Sequence, residues 1–475
     1  MQYIFYIYIM VRFLAQLIPC QIGKFHKDIC EALPSANLGV RRWFSMPFLH
    51  RGNGGEKCPS SNNITCYLIP KNQMVKPRVG CLNVSPMKLY LFTLLALAIP
   101  SMAAPWKRHI IDNTSRGADG VRLADVNGDS RPDIVTGWEE GGVVRMYFHP
   151  SKAKVKQPWP RVEVGRVKSP EDAVFADLDG DGDADVVSCC EGRVRSVNFH
   201  WSSANDPQRE LLPWHTEAIP ATVGKQSWMF ALPLQIDMGG IDLVLGSKGD
   251  GASIGWLQSP KNPRDIKAWK YHPWYQAGWI MSLISHDMDN DGDLDVLASD
   301  RRSKTPGVLW LENPGAKAMR ANPSLQWKVH RIGAVDKEVM FITISKDNII
   351  HAAVRPNRIH VLRPNADRRK PWREQVITYP SNKYGTAKAA RAADLDGDGQ
   401  TEIAVSCEAA NGAKSGVFYL KQIKGKWIDH DIGGPSGIKF DRIELLDLDG
   451  DGDLDLLTCE EREFNAVLWY ENPHR

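Results

Sequence analysis

One acidic pattern recurs along this chain and constrains what it can fold into. In its fullest form it reads Asp177-Leu-Asp179-Gly-Asp181-Gly182-Asp183-Ala-Asp185, set between the apolar runs Ala173 to Ala176 and Val186 to Val187. Oxygens at loop positions 1, 3, 5 and 9 can converge on one hard cation only if the backbone turns sharply, which Gly182 at position 6 permits. Further copies stand at Asp125, Asn127, Asp129 and Asp133; at Asp287, Asp289, Asp291, Asp293 and Asp295; at Asp394, Asp396, Asp398, Gln400 and Glu402; and at Asp447, Asp449, Asp451, Asp453 and Asp455. A single such string is an ordinary turn former. Five at matching places point to bound Ca2+, in up to five structural sites. An EF-hand would need flanking helices and a bidentate Glu at position 12. Here β-branched runs such as Asp133-Ile-Val-Thr and Asp185-Val-Val-Ser adjoin the loops, so strands carry them.

A longer unit surrounds each loop, opening on Trp-x-x-His and closing on Gly-x-x-Trp/Tyr-x-Glu-Asn-Pro. Trp106, Trp159, Trp214, Trp269, Trp327, Trp372 and Trp427 mark seven units. The third keeps its strand pattern around Asp237-Met-Gly-Gly-Ile-Asp242 and the fifth has only Lys346-Asp347-Asn348, so two units lack the full acidic loop. Each unit offers four short period-2 runs with turn residues between them and no long helical period. The fold class expected is all-β, a seven-bladed β-propeller of four-stranded antiparallel blades. Trp106-Lys-Arg-His109-Ile-Ile at one end and Trp469-Tyr-Glu-Asn-Pro at the other predict that the N-terminal strand completes the last blade and closes the ring.

The chain has 475 residues, with 59 basic and 56 acidic side chains for a net charge of +3. That balance gives no electrostatic case for nucleic acid or an anionic membrane as partner. Residues 87–103 read as a signal peptide, with Lys88, an apolar core and small residues before a cut after Ala103. Residues 1–86 are then an upstream extension or unusual leader, with residues 1–18 as an alternative export or anchor segment, and the propeller spans 104–475. The mature chain carries no stable membrane span, is expected as a monomer, and is secreted or periplasmic. Cys189, Cys190, Cys407 and Cys459 fall in it, where small buried filler is a better reading than a disulfide framework.

The stretch from Ala104 to the C-terminus resembles the FG-GAP/VCBS repeat propellers, whose blades bear the Asp-x-Asp-x-Asp-Gly-x-x-Asp calcium loop also seen in integrin α-subunit heads. Its Trp-x-x-His and Trp-Tyr-Glu-Asn-Pro elements also resemble the propeller part of aldos-2-ulose dehydratases, without a counterpart of their cupin-like part. The resemblance implies that the acidic loops share one side of the ring and that ligands meet the other.

On that other side the residue six after loop position 9 is repeatedly charged: Glu139, Glu191, Lys248, Arg301, Arg355, Glu408 and Glu461. With Trp138, Asp300, Lys225 and Trp228 they form the expected ligand face, where rings stack on sugar faces and charges fix hydroxyls or uronate groups. The expected partner is an extracellular glycan or a cell-surface protein. Two other functions fit the same residues: a carbohydrate-active lyase or dehydratase using Glu139, Glu191, Lys248 and Arg301 for proton abstraction, and a structural adhesion module. The repeated Trp and His of the outer strands are read as packing between blades. No nucleophile elbow, P-loop, dinucleotide motif or HExxH stands out.

Overall fold

A computed structural model describes residues 104–202 and 214–474. The readings made for residues 1–103 lie outside the described residues.

The first strand, β1 (Lys107–Asp112), is followed by β2 (Ala118–Ala124), β3 (Asp133–Trp138), β4 (Val143–Tyr147) and β5 (Arg161–Gly165). These last four form one antiparallel sheet in sequence order, the first blade. Five more four-stranded meanders follow: β6 to β9 over residues 170–218, β10 to β13 over 227–276, β14 to β17 over 280–333, β18 to β21 over 339–378, and β22 to β25 over 386–431. The seventh sheet holds β26, β27 and β28, over residues 440–471, with β1 as its fourth strand. Strand β1 runs antiparallel to β28, with Lys107 opposite Glu471 and His109 opposite Trp469. The described helix, α1 (Ala316–Ala321), lies between β16 and β17.

Burial explains the pattern of residues along each blade. The second strands β3, β7 (Asp185–Cys190), β15 (Asp295–Asp300) and β27 (Asp455–Glu460) are buried throughout, because sheets cover both their faces. Outer strands such as β5 alternate buried with exposed positions, since one face meets solvent. The core lies between blades: Trp138, Tyr147 and Ile134 of the first pack with Leu457, Trp469 and Cys459 of the seventh. All four described cysteines are free and buried, as small filler in that core.

The Trp of the Trp-x-x-His motif packs between blades, as Trp327 stacks on Trp274 of the third blade at 4.2 Å and Trp106 meets Tyr419 of the sixth at 6.1 Å, whereas its His packs within a blade. His109 stacks on Trp469 at 4.4 Å between ring centres and its Nε2 is 2.7 Å from Glu471. His330 lies against Trp310 at 4.7 Å, with Nε2 2.6 Å from Glu312. The His of the outer strand therefore interlocks with the Trp and the Glu of the neighbouring third strand. These pairs face each other across one ladder because their register is fixed by the strands.

Candidate functional site

Each inner strand slips register against the second strand near its start: between Pro170 and Asp172, Trp228 and Phe230, Ile280 and Ser282, Val339 and Ile342, Ala387 and Ala389, Phe440 and Ile443, and Asp119 and Arg122. A bulge re-aims the extra residue out of the ladder. In six blades a residue inside the slip, Glu171, Met229, Met281, Phe341, Lys388 or Asp441, lines a hollow of ≈ 240 Å³ where the inner strands begin; Asp119 completes the set from the edge of the seventh slip. The ends of the second strands reach the same hollow.

Of the seven charged positions expected there, Glu139, Glu191, Lys248, Arg301 and Glu408 line the hollow. Arg355 stands behind, with Nε 3.0 Å from Glu338 and Nη1 paired with Glu408. Glu461 is 3% exposed and paired with Lys439. The other expected ligand residues lie elsewhere. Trp138 and Trp228 are fully buried and give their ring N–H to Tyr147 Oη and the Thr222 carbonyl, so they offer no stacking surface. Lys225 is exposed on a turn outside the hollow. Asp300 is buried and accepts the backbone N–H groups of Gly278, Trp279, Arg302 and Ser303, holding the turn that presents Trp279. Glu460 does the same for Lys439 in the seventh blade. A carboxylate at the end of a strand could be read from sequence as a ligand group or as a turn staple, and only the turn opposite decides.

The mouth has two walls. On one, Asp119, Glu139, Glu171, Glu191 and Asp441 crowd together, with Lys248, Lys388 and Lys439 among them. Lys248 Nζ lies 2.5 Å from Glu171 and also contacts Glu191. Burial pushes both carboxyls up; Lys248 outweighs it at Glu171, held at about 2, while at Glu191 burial and the Glu171 charge leave the group at about 7. One ammonium cannot hold two carboxylates ionised in so little water. Asp119 is raised well above the usual carboxylate range by burial and by the charges of Asp441, Glu461 and Glu171. On the other wall, which meets the first at Lys248, Trp279 lies under Arg301, 4.6 Å from guanidinium carbon to ring centre, under Arg302 at 5.0 Å and under Lys248 Nζ at 4.8 Å. Met229, Phe230, Met281 and Phe341 supply apolar floor.

Larger hollows of ≈ 830 Å³ and ≈ 510 Å³ lie beside the acidic-loop turns, the first lined by Asp177 and Asp179 and the second by Lys346 and Gln400. Charged groups from several blades converge at the smaller one.

The acidic loops sit at the opposite ends of the inner strands. Position 6 is left-handed in all five, with φ of +90° at Gly182, +95° at Gly292, +83° at Gly399 and +99° at Gly452, and +65° at Ser130 in the first. Position 1 accepts backbone N–H groups of the loop, as Asp177 does from Gly180 and Gly182. The position 9 acid turns inward and staples the strands: Asp185 accepts from Leu178 and Ser202, Asp295 from Met288 and Asn313, Asp455 from Leu448 and Asn472. The Asn of Glu-Asn-Pro thus serves position 9. Asp242 forms the same staple with Ile236 and Ser259 in the third blade, which lacks the full acidic loop, so position 9 has a role independent of any ion.

Carboxylate oxygens close enough to share an ion come together at Asp177, Asp179 and Asp181; at Asp287, Asp289 and Asp291; at Asp394, Asp396 and Glu402; and at Asp447, Asp449 and Asp455. Asp289 Oδ1, Asp396 Oδ1 and Glu402 Oε1 are buried without a hydrogen-bond donor, which fits a cation at the acidic loops of the fourth and sixth blades. The first loop differs: Asn127 replaces one carboxylate, and Arg131 at position 7 pairs with Asp129 at 2.5 Å. Basic side chains also reach the other loops, with Lys156 2.7 Å from Asp449 and Arg264, Arg369 and Lys421 against Asp179, Asp289 and Asp396.

The sequence model of the FG-GAP-like repeat matches residues 125–188, from position 1 of the first loop to the middle of β7. The chain is a seven-bladed β-propeller that carries an FG-GAP-like repeat. No curated protein sequence matches it. Among solved structures this propeller is similar to BBS1N in complex with ARL6DN, at 11% identity and a TM-score of 0.48 over 78% of this chain and 97% of that one. It is also similar to YCF48 bound to D1 peptide, at 11% identity and 0.46 over 77% and 97%, and to a streptogramin B lyase, at 9% identity and 0.46 over 77% and 98%.

Proposed function

We propose that this propeller is an exported binding protein whose channel mouth takes a sugar unit of an extracellular glycan, with the acidic loops on the far side holding structural Ca2+. The observation that carries the reading is the convergence of charged side chains from several blades, beside one half-buried tryptophan, on a hollow of ≈ 240 Å³. Ionised Glu171 and Asp441 accept hydroxyl protons, ammonium groups donate to hydroxyl oxygens, and Trp279 with Met229, Phe230, Met281 and Phe341 supplies apolar surface. A hollow of this size suits one ring rather than a protein loop or a long polymer segment. Export rests on the signal-like segment at 87–103.

The test is a glycan array probed with the purified chain, followed by calorimetry on any hit with the wild type and Trp279→Ala. Binding weakened tenfold or more in Trp279→Ala supports the reading. A hit that Trp279→Ala binds equally well places the glycan elsewhere and sinks it.

A second reading, a lyase or dehydratase, draws on Glu191, which at about 7 is poised to exchange a proton at neutral pH beside the cationic Lys248. In that reading Glu191, when ionised, takes a proton from carbon next to a carbonyl or uronate, and Lys248 steadies the charge that develops on oxygen. Product formed from keto-sugars or uronate polymers by the wild type, and lost in Glu191→Gln, would favour it over binding alone.

A further inference from the structure

We propose that the basic wall of the mouth is a carboxylate seat, so that the sugar bound there is a uronate; this rests on the channel mouth being the sugar site. Arg301 is 7% exposed, yet its Nε has no hydrogen-bond partner and its Nη2 reaches only Glu338, at 3.6 Å. Trp279 Nε1, in the same hollow, is likewise buried without an acceptor. Two unsatisfied N–H donors on side chains that line one cavity call for an oxygen acceptor, since burial without one costs each group its hydration.

The charge around them is also only partly compensated. Arg301 and Arg302 share the carboxylate of Glu338, at 3.6 and 3.4 Å, with Arg355 at 3.0 Å, and that side chain is 43% exposed; Arg355 alone of the three has a second carboxylate partner among the described residues, Glu408. Burial, with Arg355 and Arg302 as neighbours, draws Arg301 down to about 10, so an arriving anion relieves a repulsion already present. A guanidinium presents paired donors matched to a carboxylate. The other wall selects among anions: Glu171 and Asp441 stay ionised there and disfavour a dianion such as phosphate, while accepting hydroxyl protons. A molecule with one carboxylate at one end and hydroxyls at the other satisfies both walls.

The experiment is calorimetry of the full chain with methyl α-D-glucuronoside, methyl α-D-glucoside and inorganic phosphate, at low and high salt. The wild type should bind the glucuronoside at least about tenfold tighter than the glucoside, a preference that shrinks with salt. Arg301→Gln should bring the two within about twofold while keeping glucoside binding, and the half-exposed Arg302→Gln, which does not disturb the core, should lower the preference in part. Equal affinity for both sugars overturns the carboxylate seat and leaves the sugar site standing. Phosphate binding tighter than the glucuronoside overturns the choice of anion. Binding of none of the probes removes the seat, and a glycan array without hits removes the sugar site as well.

Discussion

Arg122 of the first blade and Asp172 of the second face each other across the inner ring in a two-pronged ion pair, with Nε to Oδ1 and Nη2 to Oδ2 both 2.9 Å. Asp172 keeps 2% of its side-chain surface and Arg122 11%, so the pair couples neighbouring blades out of reach of bulk water. Removing one partner strands the other charge. Asp172→Ala is expected to cost about 3–5 kcal/mol, read by urea unfolding, whereas Arg122→Met with Asp172→Leu should recover most of that loss. A single mutant within about 0.5 kcal/mol of wild type would show that the pair is not holding the blades.

Ion binding should be uneven among the loops. Arg369 and Lys421 pair with Oδ2 of Asp289 and Asp396, but Oδ1 of each and Glu402 Oε1 have no hydrogen-bond donor, whereas Arg131 engages both oxygens of Asp129. Excess Ca2+ at a hundred times its dissociation constant would add about 2.7 kcal/mol per site bound only by the folded state. The expected result is a melting temperature that falls in chelator for the wild type, falls less for Asp289→Asn and Asp396→Asn, and falls as in the wild type for Asp125→Asn. An unchanged melting temperature in strong chelator would remove the ion from the fold.

Much of the ring was legible because its signals are local and repeated: the Asp-x-Asp-x-Asp-Gly loop marks a strand turn wherever it stands, and Trp landmarks count the blades. The mouth was legible in part. The position six after each loop brings Glu139, Glu191, Lys248, Arg301 and Glu408 to the hollow because it ends or directly follows the second strand. Trp138 and Trp228 were misplaced since alternation along a strand decides which face a ring joins, and near a bulge the sequence does not reveal the slip. The same bulges turn Glu171 and Lys439's neighbour Asp441 inward, so their part in the site follows from register rather than from any motif.

His200 makes the acid side of the stability profile testable. It is fully buried between Ser188 Oγ and Thr216 Oγ1, each 2.9 Å from a ring nitrogen, and burial pushes its pKa down to about 3. The unfolded chain would protonate it near 6.5. Its folded pKa being depressed, the unfolded state binds more protons, so its contribution is complete above 6.5 and drains away as pH falls toward 3, at up to about 1.4 kcal/mol per pH unit. His200→Gln should be less stable than wild type at pH 7.5, with the gap narrowing by pH 5 in urea unfolding. Parallel profiles for the two chains would mean that another group titrates.

Glu191 provides the opposite sign. Burial and the charge of Glu171 raise it from 4.5 to about 7. Between those values the folded state keeps a proton that the unfolded state has released, so the stabilisation is full below 4.5 and is lost as pH climbs through 7. Glutamine copies the protonated form and cannot ionise. Glu191→Gln should therefore match the wild type at pH 5 and exceed it at pH 8.5, by on the order of 1 kcal/mol once the sharing of Lys248 with Glu171 is allowed for. If the Glu191 carboxylate were instead a required partner of Lys248, the variant would be less stable at both pH values, because the ammonium would lose a counter-charge that Glu171 alone did not replace. Melting curves of the two chains at pH 5 and 8.5 distinguish the cases, and the second outcome would remove the proton-exchange role from Glu191 along with its raised pKa.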